Sequence, residues 1–186
     1  MSHIEQQQYI EQVQSKFPNS FNSKKVLEVG SLNINGTVRQ FFTACEYVGI
    51  DVGAGPCVDI VCGGQEYDAP DASFDTIISC ECFEHNPFWF ETFENMIRMC
   101  KSGGLVIMTC AGTDREEHGT LRTSPHNSPL TVDLGWGNYY RNLNEFDFKV
   151  KMKLDDYFSE HEFSEVIHSG EANPNAKDLY FWGLRK

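Results

Sequence analysis

Val26-Leu27-Glu28-Val29-Gly30-Ser31-Leu32-Asn33-Ile34-Asn35-Gly36 joins a short apolar run to a turn rich in Gly and Asn. Val26 to Val29 has the length and β-branched content of a buried parallel strand, and Gly30 ends it. Beyond the turn, Val38, Phe41, Phe42 and Cys45 fall at i, i+3, i+4 and i+7, a spacing that predicts a helix. A strand, a glycine turn and a helix in this order let the backbone approach a ligand while the helix N-terminus holds it. Asp51 follows a second apolar run, Tyr47 to Ile50, about where a carboxylate accepts two ribose hydroxyls. The turn lacks G-x-G-x-x-G, because Leu32 stands where the second glycine belongs. Asn33 and Asn35 tolerate left-handed backbone better than most residues, so the turn remains feasible. Taken alone, the segment is a weak signal, and an ordinary strand-to-helix turn is its plain alternative.

The same alternation continues along the chain. Tyr9, Val13 and Phe17 have helical spacing ahead of Pro18, which predicts an amphipathic helix within residues 1–20. Cys57 to Val61 is a third strand between glycine-containing turns. Phe74 to Cys80 is a fourth, and a helix carrying Trp89, Phe93, Met96, Ile97 and Cys100 on one face follows it. Lys101-Ser102-Gly103-Gly104 is expected to close that helix, with a cation near its C-terminus and a glycine stop. Leu105 to Cys110 is a fifth strand. Residues 111–150 lose clear periodicity and collect Gly, His, Asn, Pro and Tyr, which in a compact domain usually marks function. Leu154, Tyr157 and Phe158 suggest a short helix. Phe163 to His168 and Leu179 to Arg185 suggest a closing antiparallel strand pair. Strands alternating with helices predict an α/β doubly wound sheet. No linker or repeat divides residues 1–186.

Composition narrows the function classes. Asp and Glu outnumber Lys and Arg 27 to 15, for a net charge of -12, which opposes binding to a polyanion. Nucleic acid is therefore not an expected partner. The N-terminus is too polar for a signal peptide and no apolar run reaches membrane-spanning length, so a cytoplasmic, membrane-free protein is expected. Seven cysteines, several in or beside apolar runs and none in a C-x-x-C pair, read as reduced thiols. Cys80-Glu81-Cys82 has no matching His/Cys pair, and no metal is expected.

The segments VLEVGSLNING, YVGIDVG, VDIVCGG and FDTIISCECFEH, followed by MIRMCKSGGLVIMT, together resemble the class I S-adenosylmethionine-dependent methyltransferases. The likeness is closest to the small, type 11-like branch, whose fourth strand reads FD-x-x-x-S…EH and whose fifth follows a K-x-GG turn. It covers residues 25–110, and the final strand pair agrees with that family's reversed hairpin. The resemblance implies a Rossmann-like, mostly parallel seven-stranded sheet in a single methyltransferase domain. It also implies S-adenosyl-L-methionine as cofactor. Glu28 then orients the cofactor's amino-acid end, and Gly30, Ser31, Asn33 and Gly36 form the loop beneath the methionine moiety. Asp51 binds the ribose and Val52 lies beside the adenine. Gly63, Gly64 and Gln65 meet the adenine edge, and the Cys80 carbonyl meets the methionine ammonium. The plain alternatives are an ion-paired or helix-capping Glu28 and a solvated Gln65.

A sulfonium methyl is already activated, so the enzyme chiefly aligns a nucleophile with it and excludes water. Where a proton must leave the acceptor, His85, His118 and His126 are candidate bases, with a structural hydrogen bond the plain alternative for His85. Residues 111–150 are expected to cover the acceptor, with Tyr139, Tyr140 and Arg141 orienting it. Arg115, Arg122 and Arg141 are the cations placed to meet an anionic group. The aromatic run Phe88, Trp89, Phe90 and Phe93 reads as core. The expected reaction is methyl transfer to O or N of a small-molecule or glycan-type acceptor. Two other readings stay open: a non-catalytic cofactor-binding module and a nicotinamide-dependent oxidoreductase. The second expects G-x-G-x-x-G and Tyr-x-x-x-Lys, neither of which the sequence contains.

Overall fold

The computed structural model describes residues 3–132 and 134–186; residues 1 and 2 of the expected N-terminal helical region lie outside them. Seven strands form one sheet: β1 (Lys25–Val29), β2 (Glu46–Asp51), β3 (Ile60–Val61), β4 (Phe74–Cys80), β5 (Cys100–Ala111), β6 (Phe158–Ile167) and β7 (Lys177–Arg185). Their order is β3-β2-β1-β4-β5-β7-β6. The first five are parallel, whereas β7 runs antiparallel to both β5 and β6. This is the mostly parallel doubly wound sheet with an antiparallel C-terminal pair.

Strand period explains the two layers. Successive side chains point to opposite faces, so Val26, Ile78 and Ile107 pack on one side and Leu27, Ile77 and Met108 on the other. The first side is covered by α1 (Ile4–Lys16), which sets Tyr9 against Tyr180. The second is covered by α2 (Trp89–Met99), whose Phe93 packs edge-on against Phe148 and Phe181. Trp89 and Phe93 are buried as expected, but Phe88 is exposed and meets Trp136.

Three local expectations are corrected. The helix expected from Val38 to Cys45 is a single 3-10 turn, Val38–Phe41. It cannot lengthen because Thr43 is already engaged: its N–H donates to Phe21 O and its carbonyl accepts from Ser23 N. The third strand shrinks to Ile60–Val61 because Cys57 takes a left-handed φ of 69°, which interrupts extended backbone. Lys101 to Gly104 is no helix stop but an excursion within β5. Cys100 pairs with Phe74 and Leu105 with Thr76, so the residues between bulge out. Gly103, at φ 74°, turns the bulge, and Lys101 Nζ anchors it 2.8 Å from Asp75.

Residues 111–150 hold two 3-10 turns, Pro125–Asn127 and Pro129–Thr131, and the short helix α3 (Glu145–Lys149). Asn144 caps α3 in a reciprocal capping box with Asp147. The short helix suggested at Leu154 is a 3-10 turn, Leu154–Asp156. No helix among the described residues is long and apolar enough to cross a membrane.

Candidate active site at the carboxyl ends of the parallel strands

The carboxyl ends of β1, β2 and β4 surround a cavity of about 950 Å³, its mouth included. Crevices of doubly wound sheets form at this edge because the order of the strands reverses there. Here the reversal lies between β1 and β4. Glu28, Gly30, Ser31, Gly36, Asp51, Val52, Gly64, Cys80 and His85 line the cavity. Asn33, Gly63, Gln65, His118 and Tyr139 stand behind or away from its wall.

Each wall has a local cause. Gly30 takes φ 79°, and a Cβ built on it would lie 2.7 Å from Cys82 Cβ, so only glycine fits. Its N–H and that of Ser31 both donate to Ile50 O, at 2.9 and 3.1 Å. Those amides tie the loop to β2, and a 3-10 turn at Val38 stands where a helix N-terminus was expected, with Thr37 and Val38 on the cavity wall. Asn33 shapes the loop from outside: its side chain accepts from Gly36 N at 2.8 Å, and its own N–H donates to Pro56 O. Ser31 is buried, and its Oγ has no hydrogen-bond partner among the described residues.

Glu28 is 5% exposed inside β1. Its Oε2 accepts from Tyr47 Oη at 2.9 Å and lies 3.7 Å from Arg39 Nε. Burial dominates, raising its pKa to about 7 against the opposing pull of Tyr47 and Arg39. The two Asp51 oxygens accept from Leu32 N and Val52 N, at 2.9 and 2.8 Å, which fixes the carboxylate at the end of β2. Burial raises its pKa as well.

Gln65 folds back over Gly63, with Nε2 2.8 Å from where a Cβ would stand, and faces a separate surface groove with Glu91 and Arg98. The structure therefore moves Gln65 away from the expected adenine edge, while Gly64 stays on the wall. Tyr139 is half-buried and its N–H donates to Trp136 O, so Tyr140 takes the inward place. The Tyr140 ring lies 5.6 Å from that of His85 and 5.0 Å from that of His118. His126 is exposed on its 3-10 turn.

His85 is 5% exposed on the turn Phe83–His85, just past β4. Burial, then the neighbouring His118, pushes its pKa down to about 3, so its ring is neutral at physiological pH. Glu84 beside it is fully buried, and burial with the nearby Glu81 charge raises its pKa. Glu81 goes the other way, because hydrogen bonding and charge from His3 outweigh its burial. It also accepts from Thr109 Oγ1 at 2.9 Å.

Several wall residues went unread in the sequence. Gln6 reaches the cavity from α1, where it shares a face with Tyr9, Ile10 and Val13. His3 caps α1 and lies 3.2 Å from Asp178 and 3.6 Å from Glu81. Glu81 holds a left-handed φ of 51°, which pattern reading does not register. Residues 127–131 and Trp136 complete the rim, and Leu130 Cδ2 sits 2.8 Å from where a Cβ on Gly53 would lie. The three loop arginines are all spent on carboxylates: Arg115 on Glu171 and Asp178, Arg122 on Glu117, Arg141 on Asp147.

The methyltransferase domain family matches residues 1–165. Among solved structures, the fold is shared with a Haemonchus contortus phosphoethanolamine N-methyltransferase 2 bound to phosphomonomethylethanolamine and S-adenosylhomocysteine. That pair is 18% identical with a TM-score of 0.64 over 96% of this chain and 53% of that one. A Burkholderia thailandensis 1,6-didemethyltoxoflavin-N1-methyltransferase is 12% identical, with a TM-score of 0.61 over 100% and 92%. The [4+2]-cyclase SpnF is 12% identical with a TM-score of 0.63, covering 96% of this chain and 80% of that one. The chain spans about half the length of the Haemonchus enzyme. No curated protein sequence matches it. A cyclase shares the fold, so the family match and not the likeness of shape carries the reaction class, and it displaces the nicotinamide reading. The chain belongs to the methyltransferase domain family.

Proposed function

We propose that the enzyme methylates O or N of a small, non-anionic acceptor, such as a polyol, an aminosugar or another glycan-type molecule. The observation that carries this reading is the cavity at the strand ends: residues 127–131 and Trp136 form part of its lining, and His85 stands on the wall past Cys80. The net charge of -12 repels a polyanion. The pairing of Arg115, Arg122 and Arg141 with carboxylates leaves those cations committed, which favours a non-anionic acceptor over an anionic one.

The cofactor supplies an activated sulfonium methyl when bound. Ser31, with its buried unpartnered hydroxyl, and the glycine at position 30 fit a ligand laid on the loop, and Asp51 fits a ribose. Glu28 fits the amino-acid end. Bound there, the cofactor would supply its methyl to the acceptor's O or N and keep the S–CH3 bonding pair as a thioether, while the acceptor's proton would pass to solvent. His85, on the cavity wall past Cys80, is placed to meet and orient the acceptor. The unpaired thiols, free at all seven cysteines, support a reducing, cytoplasmic setting.

Incubation with methyl-labelled cofactor and a panel of neutral sugars, aminosugars, their phosphates and tRNA tests the proposal. Label on a hydroxyl or amine of a non-anionic compound supports it. Label only on phosphorylated compounds or only on tRNA overturns it.

A further inference from the structure

Glu84, His85 and His118 bring one carboxylate oxygen and two imidazole nitrogens within 4.8 Å of one another. They come from two places, the turn after β4 and the long segment after β5, so the grouping is tertiary and not a by-product of local chain geometry. Glu84 is 0% exposed, and neither of its oxygens has a hydrogen-bond partner among the described residues. The nearest imidazole nitrogen, His85 Nε2, is 4.0 Å from Oε1. Arg115, a cation whose field reaches this corner, is bound to Asp178 and Glu171. A buried carboxylate without donors is costly and calls for a proton or a cation.

The imidazoles are arranged for the second. His118 Nδ1 lies 3.0 Å from Glu116 O; as the donor it orients the ring and leaves the Nε2 lone pair as the free ligand. Among the described residues, His85 Nδ1 is buried without a hydrogen-bond partner, and so is the Tyr140 phenol beside both rings. Glu81 adds a second carboxylate to the local field. Two imidazoles and one carboxylate form a donor set for first-row transition metals, whereas Mg and Ca prefer oxygen alone.

We propose that Glu84, His85 and His118 bind one divalent first-row transition-metal ion at the acceptor end of the cofactor cavity. The cysteines take no part, so the donors lie three residues beyond Glu81 and in the 111–150 segment, not in Cys80-Glu81-Cys82. Because His85 lines the cavity, coordination positions left open by the chain are within reach of an acceptor oxygen, which the ion would hold and acidify. That use rests on the oxygen-acceptor reading above; the binding of the ion does not.

The test titrates metal-free full-length protein with Co2+, reading the visible d–d absorption and stoichiometry, with S-adenosylhomocysteine binding measured on the same samples. One Co2+ per chain is expected. His118→Ala and Glu84→Gln should weaken it by about 100-fold or more while retaining S-adenosylhomocysteine binding. His168→Ala, in the separate His3–Glu5–His168 group, should keep wild-type Co2+ affinity. Absence of Co2+ binding by protein that binds S-adenosylhomocysteine overturns the site, as does wild-type affinity in both ligand variants. Acceptor methylation that is unchanged by metal removal overturns the acceptor-holding role alone.

Discussion

At the scale of single residues, Glu28 carries the sharpest consequence. Its native pKa, about 7, lies above the ordinary carboxylate value because burial penalises the charge. The folded state therefore holds this proton more tightly than the unfolded chain. The stability it contributes is full below about pH 4.5 and is lost as pH rises through about 7. Glu28→Gln should flatten that part of the stability curve, which denaturant melts across pH 4–8 will show. A cofactor ammonium meeting Glu28 needs the carboxylate, so S-adenosylhomocysteine affinity should climb through pH 7 in the wild type and stay flat in the variant. Calorimetric titration at several pH values measures this. Gly30 is the second such residue. Gly30→Ala adds a methyl 2.7 Å from Cys82 Cβ at a φ of 79°, and a loss of about 2 kcal/mol or more is expected. Adding Cys82→Gly should recover only the steric part, leaving the cost of the left-handed backbone. Urea unfolding of the single and double variants separates the two.

At the scale of elements, α1 both covers a sheet face and sends Gln6 to the cavity. Ile10, fully buried on that helix, should cost about 2–5 kcal/mol when cut to Ala. The same change should weaken S-adenosylhomocysteine binding if the helix loosens, and chemical denaturation beside calorimetry will report both. The elements also show what the sequence could disclose. Strands β1, β4 and β5 were legible because each is an apolar run bounded by a turn, and the strand segments in combination carried the family resemblance. The positions of Gly30, Gly36 and Asp51 on the cavity wall were legible for the same reason, being tied to strand ends. What escaped was set by distant partners. The helix at Val38 was prevented by Thr43 pairing with Phe21, and the third strand was cut short by the left-handed Cys57. Lys101 to Gly104 looked like a helix stop until Cys100 was seen paired with Phe74. Glu84 escaped as well: no pattern shows that a glutamate will be buried without a donor.

At the scale of the molecule, charge and ligand set the stability. With a net charge of -12, self-repulsion should be felt at low ionic strength. Raising salt from about 10 to 150 mM shortens the Debye length from about 30 to 8 Å, and Tm should rise. Scanning calorimetry across that range gives the slope. S-adenosylhomocysteine at about 100 times its Kd should stabilise by about 2.7 kcal/mol, while NAD should leave Tm unmoved.

The packing of α1 bears on how the chain is made in the cell. His3 meets Asp178, the Tyr9 ring packs tilted against Tyr180, and the Phe17 ring lies 4.9 Å from that of Trp182. Translation delivers these partners in the opposite order from the one packing needs. At about 5–20 residues per second, α1 waits roughly ten to thirty seconds on the ribosome before its seat in β7 exists. Through that interval its apolar stripe is bare, which makes it a natural landing place for a nascent-chain chaperone. Gln6, carried on α1, reaches its place on the cavity wall only once β7 has emerged to seat that helix.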